Sequence, residues 1–306
     1  MPDQTQSVSR VKSKGEKLMP KIKAFLDDTA QIIGPVFSFE QEITGRSDRE
    51  KAIARFVLDK AKLVYEAGKK LGGVKPLGWF RANLEHYVYV KKYSRNTEGE
   101  DKEKVAQALE RIKMPSDATE REIALREALV EYGNRLVSED LVQGTWGNLS
   151  VRLDEKTILV TPSGIDYASL RAADMVRVDI DTLEYDPEGL KPTSERGLHA
   201  MLYASRPEIN AIIHTHSTYC SVYSACEKEM KLTGEAAEVF GETVHLAKYG
   251  FAGSKKLARN TAKAVGSGLG AIMSHHGMIV CGKDLPAAFN NACLLENAAR
   301  DALATR

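Results

Sequence analysis

Hydrophobic and polar positions divide the 306-residue chain into two stretches with different rhythms. Over 16–33, Leu18, Ile22, Phe25, Leu26, Ile32 and Ile33 follow mostly helical spacing, and Gly34-Pro35 ends the element. Ser47 and Glu50 have the spacing of a capping box. Beyond it Ile53, Phe56, Val57, Val64 and Leu71 lie on one helical face that stops at Gly72-Gly73. Residues 77–93 are rich in aromatics (Trp79, Phe80, Tyr87, Tyr89, Tyr93) and suit helix and strand equally. A charged segment over 96–104 leads to a short helix with Val105, Leu109 and Ile112 inward, and Met114-Pro115-Ser116 marks a boundary. The expectation is a helical N-terminal extension over 1–115, opening on a polar, basic lead-in and serving packing or oligomerisation.

From Thr119 the rhythm alternates between short apolar runs and helical faces. Thr119 and Glu122 again have capping-box spacing, and the helix behind them places Leu125, Ala128, Leu129, Tyr132 and Leu136 on one face. Strands are expected over 149–153, 157–161, 175–180, 211–214 and, as one continuous strand, 271–280. Helices are expected after 192–195 (with Leu198, Met201 and Leu202 apolar), from Thr218, over 254–265, and after a cap at Asp284. Strands and helices joined by short turns predict α/β layers over 116–306, with helices covering a sheet.

Composition narrows the partners. With 43 basic and 42 acidic residues the net charge is +1, which offers no electrostatic footprint for nucleic acid or an anionic membrane. The first residues are polar and lack a signal-peptide core, and no apolar run reaches the length of a membrane span. Cys220, Cys226, Cys281 and Cys293 form no C-x-x-C pair, so a reducing cytoplasmic location is expected.

The candidate chemistry centres on Ile212-Ile213-His214-Thr215-His216-Ser217. Side chains two apart on a strand share a face, so both imidazoles can reach one metal ion while Thr215 points away. A second cluster, Ser274-His275-His276-Gly277, also stands at the edge of apolar residues. His86, His199 and His245 are scattered and read as structural or solvent-facing. Three loops rich in small polar residues, 144–150, 161–164 and Thr193-Ser194, suit a phosphate or carboxylate held by backbone N–H groups and hydroxyls. None of them has the spacing of a nucleotide-binding loop. Glu195 opens a helix, where it serves either as a first-turn carboxylate or as a group facing the metal, ligand or base.

Taken together, QGTWGNLSVR (143–152), ILVTPSGIDY (158–167), KPTSERGLH (191–199), AIIHTHS (211–217) and IMSHHGMIVCGKDL (272–285) resemble the class II aldolase/adducin family, over about residues 119–306. The resemblance implies a three-layer α/β/α sandwich around a largely antiparallel sheet, assembled as a homotetramer. It implies that His214, His216 and His276 bind Zn²⁺ or another divalent ion such as Mn²⁺ or Co²⁺. His276 is favoured over His275 because the family's ligand directly precedes the glycine. Glu195 matches the family's resting-state ligand and proton-transfer group. Thr145, Asn148, Ser163, Gly164, Thr193 and Ser194 match its substrate-phosphate positions.

The implied reaction is aldol cleavage or formation of a ketose phosphate, giving dihydroxyacetone phosphate and an aldehyde through a metal-stabilised enediolate. The partner is thus a small phosphorylated sugar. Alternatives on the same scaffold are a sugar-phosphate 4-epimerase, a dehydratase, or the non-catalytic adducin branch. The epimerase branch carries Asp where this chain has Glu195, and the adducin branch has lost the metal ligands retained here. The chain departs from the family in two ways. The tyrosine that the aldolase borrows from a neighbouring subunit has no counterpart in 231–236, and Tyr249 does not align with it. The family's mobile C-terminal tail is also missing. Fold and metal site are expected to survive this, and the specific fuculose-phosphate activity is not.

Overall fold

The computed structural model describes residues 63–64, 66–73, 112–142 and 146–305. The elements expected over 16–62 and 74–111 lie outside these. Helix α1 spans Glu120–Ser138, and β1 (Asn148–Arg152), β2 (Thr157–Val160) and β3 (Val176–Asp179) follow as a meander. Then come α2 (Arg196–Ser205), β4 (Ala211–Thr215), α3 (Thr218–Ala225), β5 (Met230–Lys231), α4 (Gly234–Phe240), β6 (Thr243–Val244) and β7 (Leu246–Ala247). Helix α5 (Lys255–Val265), strands β8 (Gly270–Met273) and β9 (Gly277–Gly282), and α6 (Leu285–Ala304) complete the unit.

Seven strands form one sheet in the order β3-β2-β1-β4-β9-β8-β7, antiparallel throughout except for the parallel pair β7–β8. Strand β4 is central, and all five of its residues are buried. Alternate side chains leave opposite faces. Ala211 and Ile213 join the core shared with α1, α3 and α6, whereas Ile212 joins the core shared with α2 and α5. The architecture is the expected three-layer α/β/α sandwich around a largely antiparallel sheet.

One expectation fails. The apolar run 271–280 is two strands rather than one, joined by a turn at 274–276. His275 sits there with φ 54°, the left-handed conformation that reverses the chain. Both strands are fully buried, and Ser274-His275-His276 is the only polar interruption that marks the hairpin between them.

Helix α1 shows how the layers are tied. The Thr119 hydroxyl accepts from the Glu122 N–H at 3.2 Å, as the spacing predicts. The Glu122 carboxylate does not complete the box; it accepts from Arg126 Nε at 2.8 Å and from Arg177 Nη2 on β3 at 2.6 Å. Arg126 also donates to the carbonyls of Ala172 and Met175, at 3.2 and 2.7 Å. The buried stripe is therefore Glu122, Arg126, Leu129, Gly133 and Leu136, with Leu125, Ala128 and Tyr132 only partly covered. Outside this layer pattern, the helical residues near 63–69 end at Gly72 and Gly73, with φ of 90° and 93°. Val64 and Leu71 are buried in the same core as α1, α3 and α6.

The Arg126 cluster yields a prediction. Removing one partner of a buried ion pair typically costs ~3–5 kcal/mol. Arg126→Met should therefore lower the urea midpoint of the full-length protein substantially; a midpoint equal to wild type would show that the cluster contributes nothing.

Candidate active site

The site grows from the end of β4. His214 leaves the sheet on the α2 face, as Ile212 does two residues earlier. Its Nδ1 lies 2.7 Å from the Met278 carbonyl of β9. That oxygen can only accept, so Nδ1 carries the proton and Nε2 of the neutral ring presents a lone pair. Burial pushes the imidazole pKa down, against the pull of Glu195, and keeps the ring neutral. His216, one residue past the strand, brings its Nε2 to 2.9 Å from His214 Nε2, and its ring centroid lies 5.8 Å from that of Trp146.

His276 arrives from the β8–β9 turn. The Ser224 hydroxyl of α3 accepts from the His276 N–H at 2.9 Å and donates to the Met273 carbonyl at 2.6 Å, bracing the turn. Gly277 makes the approach possible, since a Cβ there would lie 2.3 Å from the Thr215 carbonyl oxygen. The three imidazoles offer ring nitrogens all within 4.8 Å of one another. His275 turns the other way, its Nε2 3.2 Å from Glu227 Oε1. Of the adjacent pair in the sequence, only His276 joins the cluster.

Glu195 closes the fourth side. It holds the N-cap position of α2 without a side-chain capping bond, so its carboxylate is free to face the sheet. Oε1 lies 2.9 Å from His276 Nε2, and Oε2 lies 3.2 Å from His214 Nε2 and accepts from Asn148 Nδ2 at 2.9 Å. Burial alone would raise its pKa; the nearby His214 and His276 rings, with the hydrogen bond from Asn148, outweigh this and hold it well below the usual carboxylate range.

This donor set fits a divalent cation. Glu195 Oε1 and His276 Nε2 are buried and close, yet among the described residues neither makes an aligned hydrogen bond. The facing Nε2 atoms of His214 and His216 share at most one proton between neutral rings. Lone pairs and a carboxylate crowded into a buried space repel unless a positive charge stands among them.

The small-residue loops join beside this cluster. Leu149 and Thr161 exchange bonds at 3.2 and 3.0 Å, the Ser163 N–H donates to the Lys191 carbonyl at 2.8 Å, and the Thr193 N–H to Thr161 at 3.1 Å. Ser163, Gly164, Thr193 and Ser194 thus fall on two adjoining turns, bridged at Pro162 and Pro192. Gly164 is exposed with φ 81°, Ser163 and Ser194 are partly exposed, and Thr193 is buried with its hydroxyl accepting from the Glu195 N–H at 3.3 Å. Asn148 is differently placed. Its amide is committed to Glu195 and, through Oδ1, to His199 Nε2 at 2.5 Å. Thr145 lies outside the described residues.

Two contributors escaped the sequence reading. His199, read there as structural or solvent-facing, is buried in direct contact with Asn148, and burial pushes its pKa down to about 3. Glu296 of α6 accepts from Ser217 Oγ at 2.7 Å and from the N–H groups of Tyr219 and Cys220 at 2.6 and 2.9 Å. It anchors the start of α3 directly behind His216. A Glu-x3-His-x3-Tyr spacing on α2 was visible for the first; nothing local announces the second. Of the remaining histidines, His245 is exposed beside Glu229 and His86 lies outside the described residues. In the stretch where the family tyrosine is missing, Lys231 lies on β5 and 234–236 begin α4, while the Tyr249 ring centroid lies 6.1 Å from that of His275.

Comparison with known proteins agrees with this geometry. The Class II Aldolase and Adducin N-terminal domain family matches residues 127–303. The chain is 33% identical over 165 residues to the L-fuculose phosphate aldolase of Methanococcus maripaludis strain S2, covering 54% of this chain and 88% of that one. It is 37% identical over 123 residues to a Mycoplasma pneumoniae protein named "Probable L-ribulose-5-phosphate 4-epimerase", covering 40% and 48%. A solved L-fuculose 1-phosphate aldolase superposes with a TM-score of 0.58 at 33% identity, over 61% of this chain and 88% of the other. A chain with this sheet, this histidine cluster and a family match over more than half its length belongs to the class II aldolase and adducin N-terminal domain family.

Proposed function

We propose that the protein is a divalent-metal-dependent aldolase that cleaves or forms a ketose phosphate, releasing or consuming dihydroxyacetone phosphate and an aldehyde. The observation that carries this reading is the convergence of His214, His216, His276 and the Glu195 carboxylate on one partly buried point. Three neutral imidazoles would hold Zn²⁺, or Mn²⁺ or Co²⁺ in its place, and leave the ion its charge. When bound, such an ion supplies Lewis acidity toward the substrate carbonyl and hydroxyl oxygens.

The chain's own residues would do the rest. In cleavage, the bond from the carbon next to the ketone breaks and its electron pair stays on the three-carbon fragment. The hydroxyl on the departing carbon gives up its proton as its oxygen becomes the aldehyde carbonyl; the Glu195 carboxylate would take that proton up and return it to the carbon of the three-carbon fragment, and in synthesis the proton would travel the other way. Ser163, Gly164, Thr193 and Ser194 would hold the phosphate with backbone N–H groups and hydroxyls, joined by Thr145. Asn148 joins them only by loosening its contacts with Glu195 and His199. We place the enzyme in the cytoplasm as a homotetramer with residues 1–115 as an appended helical extension, of which at least Val64 and Leu71 pack into the domain core. Epimerisation at C4 is the second reading, favoured by the Mycoplasma pneumoniae relative's name.

Three measurements bear on this reading. Purified protein should carry about one divalent ion per chain, and a chelator should remove it and lower the melting temperature. Protein that arrives metal-free and takes up none of Zn²⁺, Mn²⁺ or Co²⁺ contradicts it. Glu195→Gln should retain the ion while turnover falls on the order of 10²–10⁴-fold; wild-type turnover would remove Glu195 from the chemistry. A screen of ketose phosphates should release dihydroxyacetone phosphate, whereas an inverted C4 centre with no cleavage would establish the epimerase.

A further inference from the structure

Beneath Glu195 lies a buried polar ladder that the proposed chemistry does not by itself explain. Glu195, His199 and Tyr203 stand four apart and so share one face at the start and along the length of α2. Facing them on β1 are Asn148 and Ser150, two apart and so on one side of the sheet. The two sets interleave. Asn148 Nδ2 donates to Glu195 Oε2 at 2.9 Å, and Asn148 Oδ1 lies 2.5 Å from His199 Nε2. His199 Nδ1 lies 2.6 Å from Ser150 Oγ, which is 2.9 Å from the Tyr203 hydroxyl; that hydroxyl also donates to the Ser150 carbonyl at 3.0 Å. All five residues are less than a tenth exposed, and His199 and Ser150 not at all.

From Glu195 as far as Ser150, the direction of each bond is fixed by chemistry. With Asn148 Nδ2 spent on the carboxylate, its Oδ1 can only accept, so His199 must carry its proton on Nε2. Nδ1 of the neutral ring is then an acceptor, which requires the Ser150 hydroxyl to donate to it. Reversing the Asn148–His199 bond or the His199–Ser150 bond would turn the Asn148 carbonyl oxygen toward a carboxylate. The backbone of Asn148 is itself fixed, since it stands directly opposite His214 in the β1–β4 register. Glu195, by contrast, sits at the N-cap of its helix with no capping bond to hold its side chain.

We propose that His199 is a positioning residue for Glu195, acting through Asn148: its Nε2–H locks the amide in the one rotamer that donates to the carboxylate. The inference rests on Glu195 being the proton-transfer group. Without the lock the amide can flip and present an acceptor to the carboxylate, which would swing toward another donor. A misplacement of about 1 Å of such a group can cost on the order of 10²-fold in rate.

The test uses full-length, metal-loaded protein with dihydroxyacetone phosphate in D₂O. Exchange of the hydroxymethyl proton reports the Glu195 step without any aldehyde. His199→Leu should keep its metal and its KM while kcat for exchange falls on the order of 10²-fold. His199→Gln, whose amide can donate to Asn148 and accept from Ser150, should recover most of that loss. Leucine exchanging as wild type does, or glutamine no better than leucine, overturns the proposal. A measurement on the unaltered protein covers the case in which leucine prevents folding. Nitrogen-15 NMR should show His199 as the neutral Nε2–H tautomer, with the metal bound or removed; an Nδ1–H tautomer overturns the proposal. Wild-type protein that exchanges no deuterium counts against the aldolase reading, and the tautomer then decides the positioning separately.

Discussion

Everything at the candidate site depends on how closely two backbones approach the end of β4. Gly277 brings β9 against Thr215, and Gly147, with φ 90°, brings the chain before β1 against His214, where a Cβ would stand 2.6 Å from the carbonyl oxygen. One contact delivers His276 and the other delivers Asn148, on opposite sides of the same strand. Neither could be made by a residue with a side chain without displacing the strand that carries His214 and His216. The cluster is thus a product of sheet packing, with each ligand-type side chain fixed by a strand end or a braced turn. That rigidity suits chemistry in which a carboxylate must meet carbon within a few tenths of an ångström.

The sequence disclosed the layers because buried strands and amphipathic helices have distinct periods, and most boundaries fall within a residue or two of expectation. It disclosed His214 and His216 for the same reason, as neighbours on one face of a strand. It did not disclose the turn inside 271–280, because the polar break there, Ser274-His275-His276, is only three residues long and lies between two apolar runs that read as one strand. The polar ladder went unread for a related reason. His199 lies on the buried face of α2 among Leu198, Leu202 and Tyr203, and its role becomes visible only when β1 is placed opposite. Asn148 was legible as a polar residue in a loop-like motif, but its partners come from 47 and 51 positions along the chain.

The three layers divide labour. The α2 side carries Glu195 and the residues hydrogen-bonded to it, while the α3–α6 side supplies the braces. Ser224 holds the turn of His276, and Glu296 gathers the hydroxyl and two N–H groups that begin α3. Polar groups at helix termini are otherwise left without partners, and here those partners come from a different helix. The histidine end of β4 is thereby tied to the last element of the fold.

That tie orders events during synthesis. Glu296 is 79 residues beyond Ser217, so on the ribosome the β4 end exists long before its anchor does. Strand β9, which bears the carbonyl that sets the His214 tautomer, also emerges late. Non-local contacts of this kind form after local ones and only once the separating chain is available. A nascent chain therefore brings its three imidazoles together only after β9 has paired with β4, and the start of α3 gains its anchor only once the final helix has docked.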